Sequence, residues 1–283
     1  MNRPCSVWIE RGLLIATAVS AVAIFSILLL LAYFCLPMFR TDGISRVLSW
    51  TWQPFNGRFG ILPMCVSSLL LSAAALCVAF PSAVGICCFI HILAPRGLAR
   101  LVLVLVNFMT TIPTVIYGFA SVFLLVPLVR EWLQGGAGFC FFTAAVVLAM
   151  LILPTIVLVF HAHLQQIDPM LRMASEAMGF TPAQQLRHVI IPAASRGLAV
   201  AFVLGLGRAM GDTVVSLMLA GNAPQVPSSL FDSMRTLTAH IALVLATDSQ
   251  SMSYQSVFAS GLILFLLMGG VNLLIRRVAG PAK

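Results

Sequence analysis

The stretch "LGLGRAMGDTVVSLMLAGN" (residues 204–222) is apolar enough to cross a bilayer, yet it carries Arg208 and Asp212 four residues apart. A charge at bilayer depth costs about 2.5–3.5 kcal/mol on insertion scales, so it persists only where it is paired or lines a protein interior or aqueous path. A four-residue spacing puts both groups on one face of a continuous helix, where Asp212 can neutralise Arg208. Guanidinium is suited to tetrahedral oxyanions because its planar donors engage two oxygens at once. A nearby carboxylate would keep such a site from holding an anion too tightly to release it. Thr213 adds a hydroxyl. The same spacing also fits a structural ion pair holding the helix to a neighbour, and both readings stand. Gly205, Gly207 and Gly211 are expected to let a neighbouring helix come close. The glycine spacing is wrong for a dinucleotide fingerprint and no strand precedes it.

The elements that position this pair follow from composition. The 283 residues are 60% hydrophobic and 8% charged, with mean hydropathy +1.05. A soluble domain carries roughly 25% charged residues, so most of this surface faces lipid or apolar protein. An all-α integral membrane protein is expected. Six apolar runs are long enough to span: Gly12–Leu36, Phe59–Ile90, Leu101–Val129, Phe139–Phe160, Gly197–Asn222 and Val257–Ile275. Prolines inside several of them predict kinks. The division is a tail at 1–11, a transmembrane domain at 12–278 with a loop at 161–196, and a tail at 279–283.

Net charge is +8, but the arginines are scattered without a basic run, so orientation rather than nucleic-acid binding is the reading. Arg3, Arg11, Arg96, Arg100, Arg172, Arg187, Arg196, Arg276, Arg277 and Lys283 flank one side, and Arg40, Arg46, Arg58, Arg130 and Arg235 the other. The excess places both termini in the cytoplasm. The seven cysteines lack C-x-x-C spacing and read as buried small hydrophobes, with no disulfide framework or metal site. His161 and His163 lack a third ligand. In the loop 37–60, Trp50, Trp52 and Phe55 suit the headgroup level. "SSLFDSMRTLTAHIALVL" in the loop 223–253 fits either an interfacial amphipathic helix or a packed loop helix. Arg235 there reads as a solvated loop residue.

The loop between the fourth and fifth runs is the most patterned part. Asp168-Pro169 starts a helix over Met170–Met178, which Gly179 stops. Thr181-Pro182 starts another, with Gln184 completing a capping box. The result is a capped helical hairpin leading to Pro192.

That hairpin resembles the cytoplasmic coupling motif of ABC importer permeases, E-A-A, three residues, Gly, nine residues, I-x-L-P. Gly179 stands thirteen residues before Pro192, and Val189-Ile190-Ile191-Pro192 matches the motif's end. The E-A-A positions hold Met173-Ala174-Ser175, and Glu176 follows them. The resemblance implies that this helix inserts into a cleft on an ATPase subunit, without the usual glutamate. "GRFGILP" (57–63), "TIPTVIYGFASVFLLVPLV" (111–129), "TAAVVLAMLILP" (143–154), "GLGRAMGDT" (205–213), "AGN" (220–222) and "MRTLTAHIA" (234–242) resemble the PstC-type permease of the phosphate importer. Asp212 replaces the usual glutamate, and His240 stands where asparagine is frequent.

The resemblance implies a type I permease fold and an inner-membrane location in bacteria. It implies a second permease chain (PstA-type), an ATP-binding subunit dimer (PstB-type) and a periplasmic or lipid-anchored phosphate-binding protein as partners. No phosphate loop of its own is present, so energy must come from another polypeptide. No cofactor is expected. Rivals are a permease for sulfate, molybdate or tungstate, an intramembrane hydrolase, and a gradient-driven transporter. The hydrolase lacks paired carboxylates or a nucleophile with its base, and the gradient-driven transporter lacks a visible internal repeat.

Overall fold

A computed structural model describes residues 4–40, 48–133, 136–245 and 252–279. Arg3, Arg46, Lys283 and the tail at 280–283 lie outside the described residues.

The chain is helical from α1 (Pro4–Arg40) onward, with a two-stranded hairpin, β1 (Trp52–Gln53) and β2 (Arg58–Phe59), before α2 (Leu62–Cys88). A π-helical turn, Phe89–Leu93, ends α2. Then come α3 (Arg96–Thr111), α4 (Thr114–Glu131), α5 (Phe141–Gln165), α6 (Pro169–Ala177) and α7 (Pro182–Gln185). Last are α8 (Ser195–Gly211), α9 (Val214–Leu219), α10 (Leu237–Leu245) and α11 (Met252–Ala279). Among the described residues four helices are long and apolar enough to cross a membrane, or five if the bent pair Pro182–Ala193 and Ser195–Gly211 forms one span. Ser256–Val271 in α11 is a shorter apolar segment at the sixth expected position.

Two expected spans are interrupted. The third breaks at Pro113, because a residue before proline is pushed out of the helical region; Ile112 takes ψ 122° and separates α3 from α4. Pro81, Pro127 and Pro154 instead lie within α2, α4 and α5. The fifth breaks at Asp212.

Helix α5 is the axis. It packs against α2, α3, α4, α8 and α9, and Ile152, Ile156, Val157 and Phe160 are fully buried. Lipid offers no hydrophobic drive between helices, so close packing of small residues does that work. Ala79, Ala83, Ala144 and Ala201 are fully buried in the contact, and Gly205 of α8 has no room for a side chain. A Cβ there would lie 2.7 Å from Ile156 and 3.3 Å from Leu76. Helix α1 is the opposite case: it packs along α11, and an 18-residue hydrophobic window within Glu10–Leu36 buries nothing within the chain.

The bundle has two distinct ends. At one, the π turn after α2 meets the end of α5 through His91 and His161, and the chain continues from α5 into the α6–α7 hairpin. At the other, the β-hairpin, the start of α5 and the segment 220–240 come together.

Candidate functional site

Asp212 does not share a helix with Arg208. Helix α8 stops at Gly211, and Asp212 is extended, with φ −73° and ψ 128°. Glycine, aspartate and threonine in succession favour caps and breaks over helix interior. Asp212 Oδ2 accepts from the Val215 amide at 2.9 Å, capping α9 rather than pairing with the arginine. The sequence expectation of an internal Arg208–Asp212 pair is therefore corrected. Among the described residues the sole ion pair is Arg130–Glu131, and Arg208 is exposed on the isolated chain. Its charge still reaches Asp212 and Tyr117.

Of the three glycines expected to admit a neighbour, Gly205 does so. A Cβ at Gly207 or Gly211 would meet nothing within 4 Å, so these two flank Arg208 on an open face. Thr213 is half-buried, and its carbonyl accepts from the Leu217 amide at 2.9 Å.

A buried hydroxyl cluster holds the break open. The Asp212 carbonyl accepts from Thr238 Oγ1 at 2.9 Å and from Ser216 Oγ at 3.3 Å. Thr236 Oγ1 donates to Ser216 Oγ at 3.0 Å. Ser68 Oγ, from α2, accepts the Leu237 amide at 2.7 Å, satisfying a free donor at the start of α10. Sequence reasoning missed these residues. A signal existed: Ser67, Ser68 and Ser72 are clustered in an otherwise apolar run, and all are buried.

Two motifs read separately in the sequence, "AGN" and "MRTLTAHIA", are stitched together here. The Met234 amide donates to the Ala220 carbonyl at 2.8 Å, and Gly221 bridges to Met234. Gly221 and Asn222 adopt φ 80° and 59°. Arg235 Nε donates to the Asn222 carbonyl at 2.9 Å, and burial lowers the Arg235 pKa. Arg235 is thus docked, not solvated. Helix α10 is a packed helix, with Leu237, Thr238, Ala239 and His240 buried. Trp52 is half-buried and meets His240 edge-on at 4.3 Å, while Trp50 is exposed.

At the other end the α6–α7 hairpin has the expected caps. Asp168 Oδ1 accepts from the Met170 amide at 2.9 Å. Gly179 takes φ 78°, a left-handed stop that other residues adopt at a cost. Thr181 and Gln184 form the capping box. Gln185 Nε2 donates to Ser175 Oγ at 2.7 Å, locking the two helices, and a π turn at Leu186–Ile190 leads to Pro192. Met170, Met173 and Met178 are 66%, 55% and 67% exposed. Ala174, Glu176 and Ala177 are exposed too. Positions 170, 173, 174, 177 and 178 share one helix face, an apolar stripe facing water. A cavity of about 250 Å³ at the root of the hairpin is lined by His163, Asp168, Leu171, Arg196 and Gly197.

Nearby, His161 Nδ1 lies 2.9 Å from His91 Nε2, tying α5 to α2. Among the described residues no three ligands gather for a metal. Cys35, Cys65, Cys87 and Cys140 are buried free thiols, Cys77 is exposed and Cys88 is half-buried.

Residues 84–280 match the family described as "Binding-protein-dependent transport system inner membrane component". The chain belongs to this family. A "Phosphate transport system permease protein PstC" of Haemophilus influenzae is 30% identical to this permease component, over 95% of this chain and 92% of its own. One of Mycobacterium leprae is 32% identical over 80% of this chain and 76% of its own. A "Probable ABC transporter permease protein YqgH" of Bacillus subtilis is 30% identical over 96% and 91%. In fold, the permease resembles a chain of a bacterial alginate ABC transporter in complex with an alginate-bound periplasmic protein. That likeness has TM-score 0.65, with 16% identity and full coverage of both chains. A chain of the MetNI methionine ABC transporter, inward facing, gives TM-score 0.64 with 18% identity over 81% and 98%.

Proposed function

We propose that this chain is one of the two membrane subunits of an ATP-driven phosphate importer, and that Arg208 lines the ion's path. The observation that carries the reading is the unpaired Arg208 on an open face between Gly207 and Gly211, beside a helix break. An arginine at that depth needs an anion, water or a partner chain against it. Relatives named for phosphate transport match the chain almost end to end, which favours phosphate as the anion.

Asp212 acts beside this cation as a fixed negative group on the break, and Thr213 offers a hydroxyl to the same path. The facing half belongs to a second permease subunit of the PstA type. Both termini are cytoplasmic, so the α6–α7 hairpin is cytoplasmic and the β-hairpin end faces outward, towards a phosphate-binding protein. The exposed stripe of α6 docks on a PstB-type ATP-binding subunit, with Met173-Ala174-Ser175 replacing the acidic start. Closure of the ATPase pair then moves Asp168–Pro192 as one block, because Gly179, Thr181 and the Ser175–Gln185 bond hold it rigid. The subunit performs no covalent chemistry and needs no cofactor.

Uptake of labelled phosphate by cells lacking this chain, with and without its restoration, tests the reading. Restored phosphate uptake that excess sulfate and molybdate leave unchanged is expected. Uptake restored only for sulfate, molybdate or tungstate would make the chain a permease for that oxyanion.

A further inference from the structure

His240 is fully buried, and neither ring nitrogen has a hydrogen-bond partner. Trp52 of β1 covers it edge-on and also packs on the cluster of Ile61, Met64, Cys65 and Leu237. Buried polar groups in folded proteins are nearly always satisfied, and an orphaned one costs the desolvation of that group. A second orphan sits close by in the chain's wiring: the Asn222 side-chain oxygen is buried without a donor, although Arg235 donates to the same residue's carbonyl. Arg235 is the charged group whose field reaches His240, and burial together with that field pushes the imidazole pKa down to about 3. The ring is therefore neutral and desolvated. An apolar side chain of similar shape would fill the same nest without the penalty.

We propose that His240 is a built-in bias against the closed β-hairpin end: it destabilises the packed arrangement of Trp52 over α10 and so favours the arrangement in which this end opens to water. The penalty of one unsatisfied group corresponds to a roughly five- to 150-fold shift in the closed-to-open ratio. The hairpin that carries Trp52 is a two-residue ladder, light enough for such a bias to lift. A transporter that binds an ion from one side must open that side, and a subunit whose outer packing were fully satisfied would rest shut. The inference uses the transport reading only for the existence of an opening step.

Cys65, 7% exposed under the same Trp52, is a native reporter. N-ethylmaleimide labelling of Cys65 is followed by peptide mapping in the assembled importer in membranes, with and without ATP, for wild type, His240→Phe, His240→Leu and His240→Asn. The expected result is labelling at least about fivefold slower in the Phe and Leu variants, with Asn within threefold of wild type. Using both Phe and Leu guards against a misfit of either ring or branch. Equal or faster labelling in the apolar variants that assemble would overturn the proposal and make His240 an ordinary packing residue. Phosphate uptake measured in parallel keeps the two readings apart: loss of phosphate specificity leaves the Cys65 result standing.

Discussion

The α6–α7 hairpin and the break at Asp212 are both places where one helix gives way to the next over a few non-helical residues, but they are held by different means. The hairpin closes on itself. Its bonds join residues no more than ten apart, such as Gln185 to Ser175 and Gln184 to Thr181. The break is held from elsewhere. Thr238 reaches Asp212 across 26 residues, and Ser68 reaches Leu237 across 169. A locally closed unit moves as a rigid block whatever its neighbours do. A unit held by distant hydroxyls changes whenever those neighbours shift, and such a region is the one that can respond to an ion. On the proposed reading, this difference suits the hairpin to transmit force and the break to change conformation.

The contrast can be broken most severely at Gly205, on which the approach of α8 to α5 and α2 depends. Gly205→Leu puts side-chain atoms into Ile156 and Leu76 and should exceed the ~1–3 kcal/mol of ordinary overpacking. Loss of detergent-stable protein, read by size-exclusion chromatography, is the expected outcome; a normal elution profile would contradict the packing.

Acid separates the two regions next. Folded His240 binds its proton only near pH 3, against an ordinary value of 6.5. Between these values the unfolded chain binds a proton that the folded chain does not, so stability falls as pH drops from 6.5 towards 3 and is level above 6.5. The slope is at most about 1.4 kcal/mol per pH unit. Thermal midpoints from pH 4 to 7 should show it in wild type and show a smaller fall in His240→Phe. An unchanged slope in that variant would remove His240 as the cause.

Thr238→Val leaves the Asp212 carbonyl without its shorter side-chain donor at a cost of about 1–3 kcal/mol, and transport should fall with it. Thr181→Ala, in the hairpin, should cost only about 1 kcal/mol for the lost cap. Uptake near wild type is expected there, because the Ser175–Gln185 bond remains. Paired uptake and melting measurements compare the two directly. Equal losses of uptake would erase the distinction between the regions.

The same physical difference decided what could be read in the chain beforehand. Asp168, Gly179, Thr181 and Gln184 act on neighbours within four residues, so their types and spacing disclose the hairpin before any coordinates. The six apolar positions were legible from run length alone. Arg208 and Asp212 were found for their charge, but their relation was misjudged: four-residue spacing implies one face only if the helix continues, and Gly211-Asp212-Thr213 ends it. The hydroxyls packed around that break, Thr238 on the Asp212 carbonyl and Thr236 on Ser216, come from a distant segment, and no local pattern links residues so far apart. His240 and Trp52 are likewise joined only by the fold. Arg235 looked like a loop residue because its partner, the Asn222 carbonyl, is main chain and leaves no trace in side-chain patterns.

The central claim is that Arg208 meets the transported anion. The direct measurement is labelled-phosphate uptake by Arg208→Gln, with Arg208→Lys beside it, in cells where assembly of each variant with its partner subunits is verified. The account predicts assembled Arg208→Gln complexes with uptake reduced at least tenfold, and partial recovery with lysine, which keeps the charge but not the planar fork. Normal uptake by assembled Arg208→Gln would contradict it and leave Arg208 as a structural cation.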